Sequence, residues 1–144
     1  MAPFVVVRDT PLSVEAAWER IVDWAAHARF VPLTRIEVRT PPPNGLATVF
    51  SARTGVGRIG FDDPMEVVEW EPPQDGSTGR CRLVKRGTMM TGWAELSVEP
   101  RGGGSRAIWR EVAVPAWAPA FTAGLFAVAG RLLFGRVLRG LLAT

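Results

Sequence analysis

The sequence predicts an α+β domain: one strand, two short helices, an antiparallel meander and a long C-terminal helix. Three observations carry this. A break rich in Gly or Pro recurs roughly every 8 to 12 residues through the middle of the chain. Helical periodicity is confined to a stretch after the first strand and to the last 25 residues, Ala120 to Thr144. No internal repeat and no linker divides the chain, so residues 1–144 are expected to form a single domain.

The elements follow in order. Phe4 to Arg8, mostly aromatic and β-branched, read as a first strand that ends at "DTP". In "LSVEAAWERIVDW" the apolar Val14, Ala17, Trp18 and Ile21 fall at helical spacing. Ser13 is placed to cap that helix, and Glu15 lies in its first turn, where the dipole favours an acid. "WAAHARF" reads as a second short helix, stopped by Pro32. The strand segments are then "RIEVRT", "ATVFSAR", "TGVGRIGF", "MEVVEW", "RCRLVKRG", "MTGWAELSVEP" and "SRAIWREVAV", a sheet of about six to seven strands. Alternation turns Cys81 and Leu83 to one face, away from Arg80 and Arg82. It groups Ala94, Leu96 and Val98 in the same way. With Arg106 and Arg110 towards solvent, Ala107, Trp109 and Glu111 point inward.

Successive residues of a helix stand about 100° apart, which sorts the final segment into faces. Phe126, Ala127, Gly130, Leu133, Phe134, Val137, Leu138 and Leu141 share one arc, with Arg131, Arg136 and Arg139 opposite. Phe121, Leu125 and Val128 lie on the outer arc with no charge beside them, and the residues do not say what that patch does. The uncharged run Val112 to Gly130 is 19 residues long, near the ~20 a bilayer span needs. Pro115 and Pro119 divide it and its first part continues a strand, so a spanning helix is not expected.

Composition narrows the function. A chain of 144 residues buries roughly two-thirds of its unfolded surface. Its 47% hydrophobic and 22% charged residues place it among ordinary globular proteins. The net charge is +3, and the arginines are scattered rather than gathered on one helix, which argues against nucleic acid as a partner. Cys81 is the sole cysteine and His27 the sole histidine, so neither a disulfide framework nor a His- or Cys-based metal site is expected. "MAPFVVVRDTP" is too short and too charged for a secretory signal, so the expected location is cytoplasmic. "TGVGRIG" lacks the strand-to-helix context and the Lys-Ser/Thr of a phosphate loop, and no cofactor is expected. "RGGGS" reads as a hairpin connection and "DDP" (Asp62, Asp63, Pro64) as a solvated turn.

The run "SVEAAWERIVDWAAHARFVP", the run "GWAELSVEPRGGGSRAIWRE" and the apolar closing helix together resemble the SRPBCC superfamily. This is the START and Bet v 1-like helix-grip group, and the nearest branch is polyketide cyclase/dehydrase-like. The resemblance spans essentially the whole chain in element order, without a short signature motif. It implies a curved antiparallel sheet wrapped around the C-terminal helix, two short helices between the first two strands, and an apolar cavity inside. It also implies a ligand that is a lipid, sterol, quinone, polyketide or hormone, with catalysis in a minority of members. No catalytic residue is common to the group, and the chain has no tyrosine, a frequent cavity residue in relatives that orient a polar ligand.

The candidate site residues are therefore read from the pattern. Glu111, if inward, is either neutralised by burial or paired, and would serve as a general acid or as a handle for a ligand carbonyl. The alternative places it beside an arginine at the sheet rim. Lys85 is a candidate partner. Trp109, Trp93, Met89 and Met90 suit a cavity wall or plain core. Trp24 and His27 would roof the cavity mouth, His27 as a proton-transfer candidate or as a rim residue. Phe126, Gly130 and Phe134 would face the ligand from the helix. Gly130 leaves room either for the ligand or for close packing on the sheet.

Three functions fit. The first is binding or transport of a hydrophobic small molecule in a cavity between sheet and helix. The second is a cyclase or dehydratase using Glu111 or His27. The third is a membrane-peripheral or protein-interaction module, for which the arginine-bearing outer face of the final helix would suit anionic lipid and its apolar patch a homodimer. Several ionisable groups converging on one cavity would favour the enzyme; one or none would favour the carrier.

Overall fold

A computed structural model describes residues 3–143. Seven antiparallel strands form one sheet: β1 (Phe4–Thr10), β2 (Thr34–Val38), β3 (Val49–Val56), β4 (Ile59–Glu71), β5 (Gly79–Lys85), β6 (Met90–Arg101) and β7 (Gly104–Pro115). Their order is β1-β7-β6-β5-β4-β3-β2, so β2 to β7 form a meander and the first strand returns to pair with the last. Helix α1 (Val14–Ile21) and a 3-10 helix (Trp24–Phe30) lie between β1 and β2, and helix α2 (Ala123–Leu141) closes the chain.

Local chemistry explains the frame. The Ser13 hydroxyl accepts from the Ala16 N–H and caps α1. That helix buries Val14, Ala17, Trp18 and Ile21, the stripe its spacing predicts. Cys81, Leu83, Ala94, Leu96, Val98, Ala107 and Trp109 are buried on the inner face of β5, β6 and β7, also as alternation predicts. Helix α2 packs mainly on β1, β7 and the 3-10 helix, burying Gly135, Val137, Leu138 and Leu141. Arg131, Arg136 and Arg139 are exposed.

Two expectations are corrected. "TGVGRIGF" is not a separate strand: β3 ends at Val56, Gly57 and Arg58 turn, and β4 begins at Ile59. Gly57 has φ +58°, the positive value that a tight two-residue hairpin turn asks of its first residue. "DDP" is not a solvated turn either, because it lies inside β4 and Asp63 is buried. A proline fits there because the carbonyl of Pro64 accepts from the Arg86 N–H. The proline ring lies on that side too, against Gly87, just past the end of β5 at Lys85.

A bulge between Val67 and Glu69 shifts the register of β4 against β5. It adds one residue, so the inward set passes from Phe61, Asp63, Met65 and Val67 to Trp70, which packs on Trp18 with ring centroids 5.2 Å apart. Bulges also increase local twist, which here helps the sheet curl around α2.

Candidate functional site

Between the concave face of the sheet, α2 and the 3-10 helix lies a partly open cavity of about 310 Å³. Its walls are almost wholly apolar. A run of aromatic rings crosses it: Phe50 stacks on Trp24 at 4.8 Å, His27 lies between Trp24 and Trp109 at 5.6 and 5.3 Å, and Phe134 sits 4.9 Å from Trp109. Asn44 fixes the Trp24 rotamer by accepting its indole N–H at 2.8 Å while donating to the Val22 carbonyl at 2.7 Å.

Three charged side chains meet in this apolar wall. Lys85 Nζ of β5 donates to Asp63 Oδ2 of β4 at 2.6 Å and lies 4.0 Å from Glu111 Oε2 of β7. Cross-strand register explains the meeting. Leu83, Ala94 and Glu111 form one row across β5, β6 and β7, and Lys85, two residues along β5 on the same face, leans across β6 towards Glu111. Glu111 Oε1 accepts the Trp109 indole N–H at 3.0 Å. Burial pushes the Glu111 carboxyl above its ordinary range, and the Lys85 charge and the Trp109 N–H offset this only in part. Asp63 Oδ1 is buried without a hydrogen-bond partner in the protein.

His27 is not a rim residue. It is buried, and burial lowers its pKa to about 4, against the opposing effects of the Ile21 carbonyl and Asp23. Its Nε2 stands 2.7 Å from that carbonyl, which can only accept, so Nε2 carries the proton of the neutral ring. Such a ring is a weak base at neutral pH.

Nine of the eleven residues named as candidates border the cavity: Trp24, His27, Lys85, Met90, Trp109, Glu111, Phe126, Gly130 and Phe134. The rim-arginine alternative for Glu111 is overturned, since its partners are Trp109 and Lys85. Trp93 and Met89 do not line the cavity. Trp93 carries the Arg82 guanidinium 4.5 Å above its ring, and Met89 is exposed. At Gly130 a Cβ would come within 2.5 Å of the Phe4 ring, so close packing on β1 accounts for this glycine.

Sequence reasoning missed Asp63, Phe61, Met65, Phe50 and the threonine pair Thr34 and Thr54, whose hydroxyls lie 3.0 Å apart in the wall. The signal for the β4 residues was present. Phe61, Asp63, Met65 and Val67 alternate with period two, and splitting the segment at Pro64 concealed it.

Beside the cavity, α2 and the segment before it expose Trp117, Phe121, Leu125, Val128 and Leu132 to solvent. Residues Ala120–Leu141 are long and apolar enough to cross a membrane by length and composition, with a mean hydropathy of 1.5.

No family model and no curated protein matches the sequence. Solved structures do match. A STAR-related lipid transfer protein from Xanthomonas axonopodis superposes with a TM-score of 0.68 at 10% identity, over 94% of this chain and 82% of that one. Ara h 8.0201 superposes with a TM-score of 0.62 at 12% identity, over 99% and 98%. The di-domain ARO/CYC BexL from the BE-7585A biosynthetic pathway gives 0.62 at 16% identity, with 96% of this chain matched to 48% of that protein. Similarity at these identities lies in backbone architecture. A curled seven-stranded antiparallel sheet, closed by its first strand and gripping a C-terminal helix, is the helix-grip fold, and the chain adopts it.

Proposed function

We propose that this protein binds a hydrophobic small molecule of lipid, quinone or polyketide type inside the cavity. The observation that carries the reading is a partly open apolar cavity whose described wall holds one cluster of ionisable groups, Asp63, Lys85 and Glu111. Apolar walls supply affinity through burial, and a few convergent polar groups orient the ligand. Two structural neighbours, named as a lipid transfer protein and an ARO/CYC, agree with an apolar ligand.

A second reading, acid–base catalysis of the cyclase or dehydratase type, is favoured by one observation. Asp63 and Glu111 are two carboxyls in unlike settings, one paired with Lys85 at 2.6 Å and one whose pKa is raised by burial. Glu111 would then act as the general acid. His27 does not suit the role of base, being a buried neutral ring with Nε2 already engaged.

Titration with an apolar fluorophore such as 1-anilinonaphthalene-8-sulfonate, alongside native mass spectrometry of the purified protein, tests binding. Saturable uptake should be lost in Ala113→Phe, which fills the cavity from β7, with an unchanged circular dichroism spectrum. Absence of uptake by the wild type would sink the reading. If an extracted ligand is turned over by the wild type and only bound by Glu111→Gln, the protein is an enzyme.

A further inference from the structure

The gap between Lys85 and Glu111 carries information about the ligand. At 4.0 Å, Lys85 Nζ and Glu111 Oε2 are too far apart to hydrogen-bond directly, yet one oxygen atom about 2.8 Å from each fits between them. Both groups border the cavity, and Glu111 Oε2 makes no other hydrogen bond, since the Trp109 N–H goes to Oε1. Of its three N–H donors, Lys85 gives one to Asp63 and a weak one to Met65 Sδ at 3.8 Å, which leaves one. We propose that this gap seats the carbonyl oxygen of a neutral, apolar ligand, accepting from Lys85 Nζ and from the Glu111 carboxyl. The inference rests on the cavity-binding reading and names the ligand class: a ketone, an aldehyde or a quinone.

Charge selects this class over others. Lys85 and Asp63 already form a balanced pair, and complete burial favours the neutral form of Glu111. A ligand carboxylate would bring a third acidic group beside Asp63 and Glu111. An ammonium would stand against Lys85. A neutral acceptor adds no charge and meets two donors.

Two probes of like shape test the idea: 2-acetylnaphthalene, with a carbonyl, and 2-isopropylnaphthalene, without one. Tryptophan-quenching titration of the wild type should show the ketone binding at least tenfold tighter. The carbonyl stretch of the bound ketone should move to lower frequency. Glu111→Gln, which keeps a donor, should retain most of the preference, and Glu111→Leu should reduce it severalfold while hydrocarbon affinity stays. Equal affinities for the two probes would overturn the carbonyl assignment and leave the cavity reading standing. No binding of either would overturn both.

A different observation carries a second inference. Phe121, in the 3-10 turn that leads into α2, and Leu125, Val128 and Leu132 of α2 make one exposed stripe; at 100° per residue Arg131 and Arg136 flank it and Arg139 extends it. Residues 112–144 contain these three arginines and no acid, while the rest of the chain has equal numbers of basic and acidic residues. We infer that this face docks on an anionic lipid surface, with the stripe in the headgroup boundary and the arginines on phosphates. Two copies pressed together through the same stripe would oppose arginine to arginine with no acid to relieve it. The stripe also adjoins the cavity lining at Phe126 and Ala129, so a docked protein would hold that wall of the cavity next to the lipid.

Co-sedimentation with phosphatidylcholine vesicles, with and without phosphatidylglycerol, tests this. The wild type should pellet only with the anionic vesicles and be released by salt, and the Phe121→Ser/Leu125→Ser variant should remain in solution. Failure to pellet with either vesicle overturns the inference. So does a concentration-dependent dimer in light scattering that the same double substitution abolishes, which would make a second copy the occupant.

Discussion

His27 shows how one buried side chain ties stability to pH. Its pKa is about 4 in the folded protein, below the ordinary 6.5, so between these values the unfolded chain binds the extra proton. Stability is then fully present above about pH 6.5 and is lost as pH falls towards 4. Urea unfolding should show a loss of roughly 2 kcal/mol between about pH 7 and about pH 5 from this group. His27→Gln should remove most of that dependence. The Lys85–Asp63 pair makes a second residue-scale prediction. Asp63→Ala leaves a buried ammonium without its direct partner and should cost about 3–5 kcal/mol in urea unfolding. Replacing both residues (Asp63→Leu with Lys85→Met) should cost less than Asp63→Ala alone, because no charge is then stranded. At this scale the sequence was legible where alternation ran unbroken. Glu111 could be turned inward because Arg106 and Arg110 alternate with it, whereas Asp63 was hidden by the proline that follows it inside β4.

The elements themselves were legible because each follows a local rule: a Ser cap, a 3.6-residue stripe, a period of two. What lies opposite an element follows no local rule. Gly130, Gly135 and Gly140 on α2 do not form a common seam. A Cβ on each would meet Phe4, Arg8 and Phe30 respectively, from β1 and from the 3-10 helix. Gly130→Ala should therefore destabilise by about 1–3 kcal/mol through overpacking against the Phe4 ring, and Phe4→Leu should recover part of that loss. Additive costs in thermal unfolding of the two variants and their double would show that the two side chains do not share the space. The bulge in β4 belongs to this scale too. No residue at Val67 to Glu69 announces it, and yet it decides that Trp70 rather than Glu69 faces the core.

For the whole molecule, closure depends on β1, which pairs with β7 from Phe4↔Glu111 to Thr10↔Ser105 and seats α2 through Phe4. Removing residues 1–10 exposes the edge of β7 and strips Phe4 and Val6 from the core. Thermal unfolding of that variant, followed by circular dichroism, should have no cooperative transition. A variant that still melts sharply would show that the meander and α2 suffice. The sequence by itself determined the order of helices and sheet, the inner face of β5 to β7 and the buried arc of α2, because periodicity and capping act between residues near in the chain. The tertiary structure alone decided that Asp63, Lys85 and Glu111 meet, that His27 is buried and neutral, and that Phe4 fills the notch at Gly130. Those contacts join residues far apart in sequence, and their geometry depends on sheet register, a bulge and a turn, where a shift of one residue turns a side chain to the opposite face.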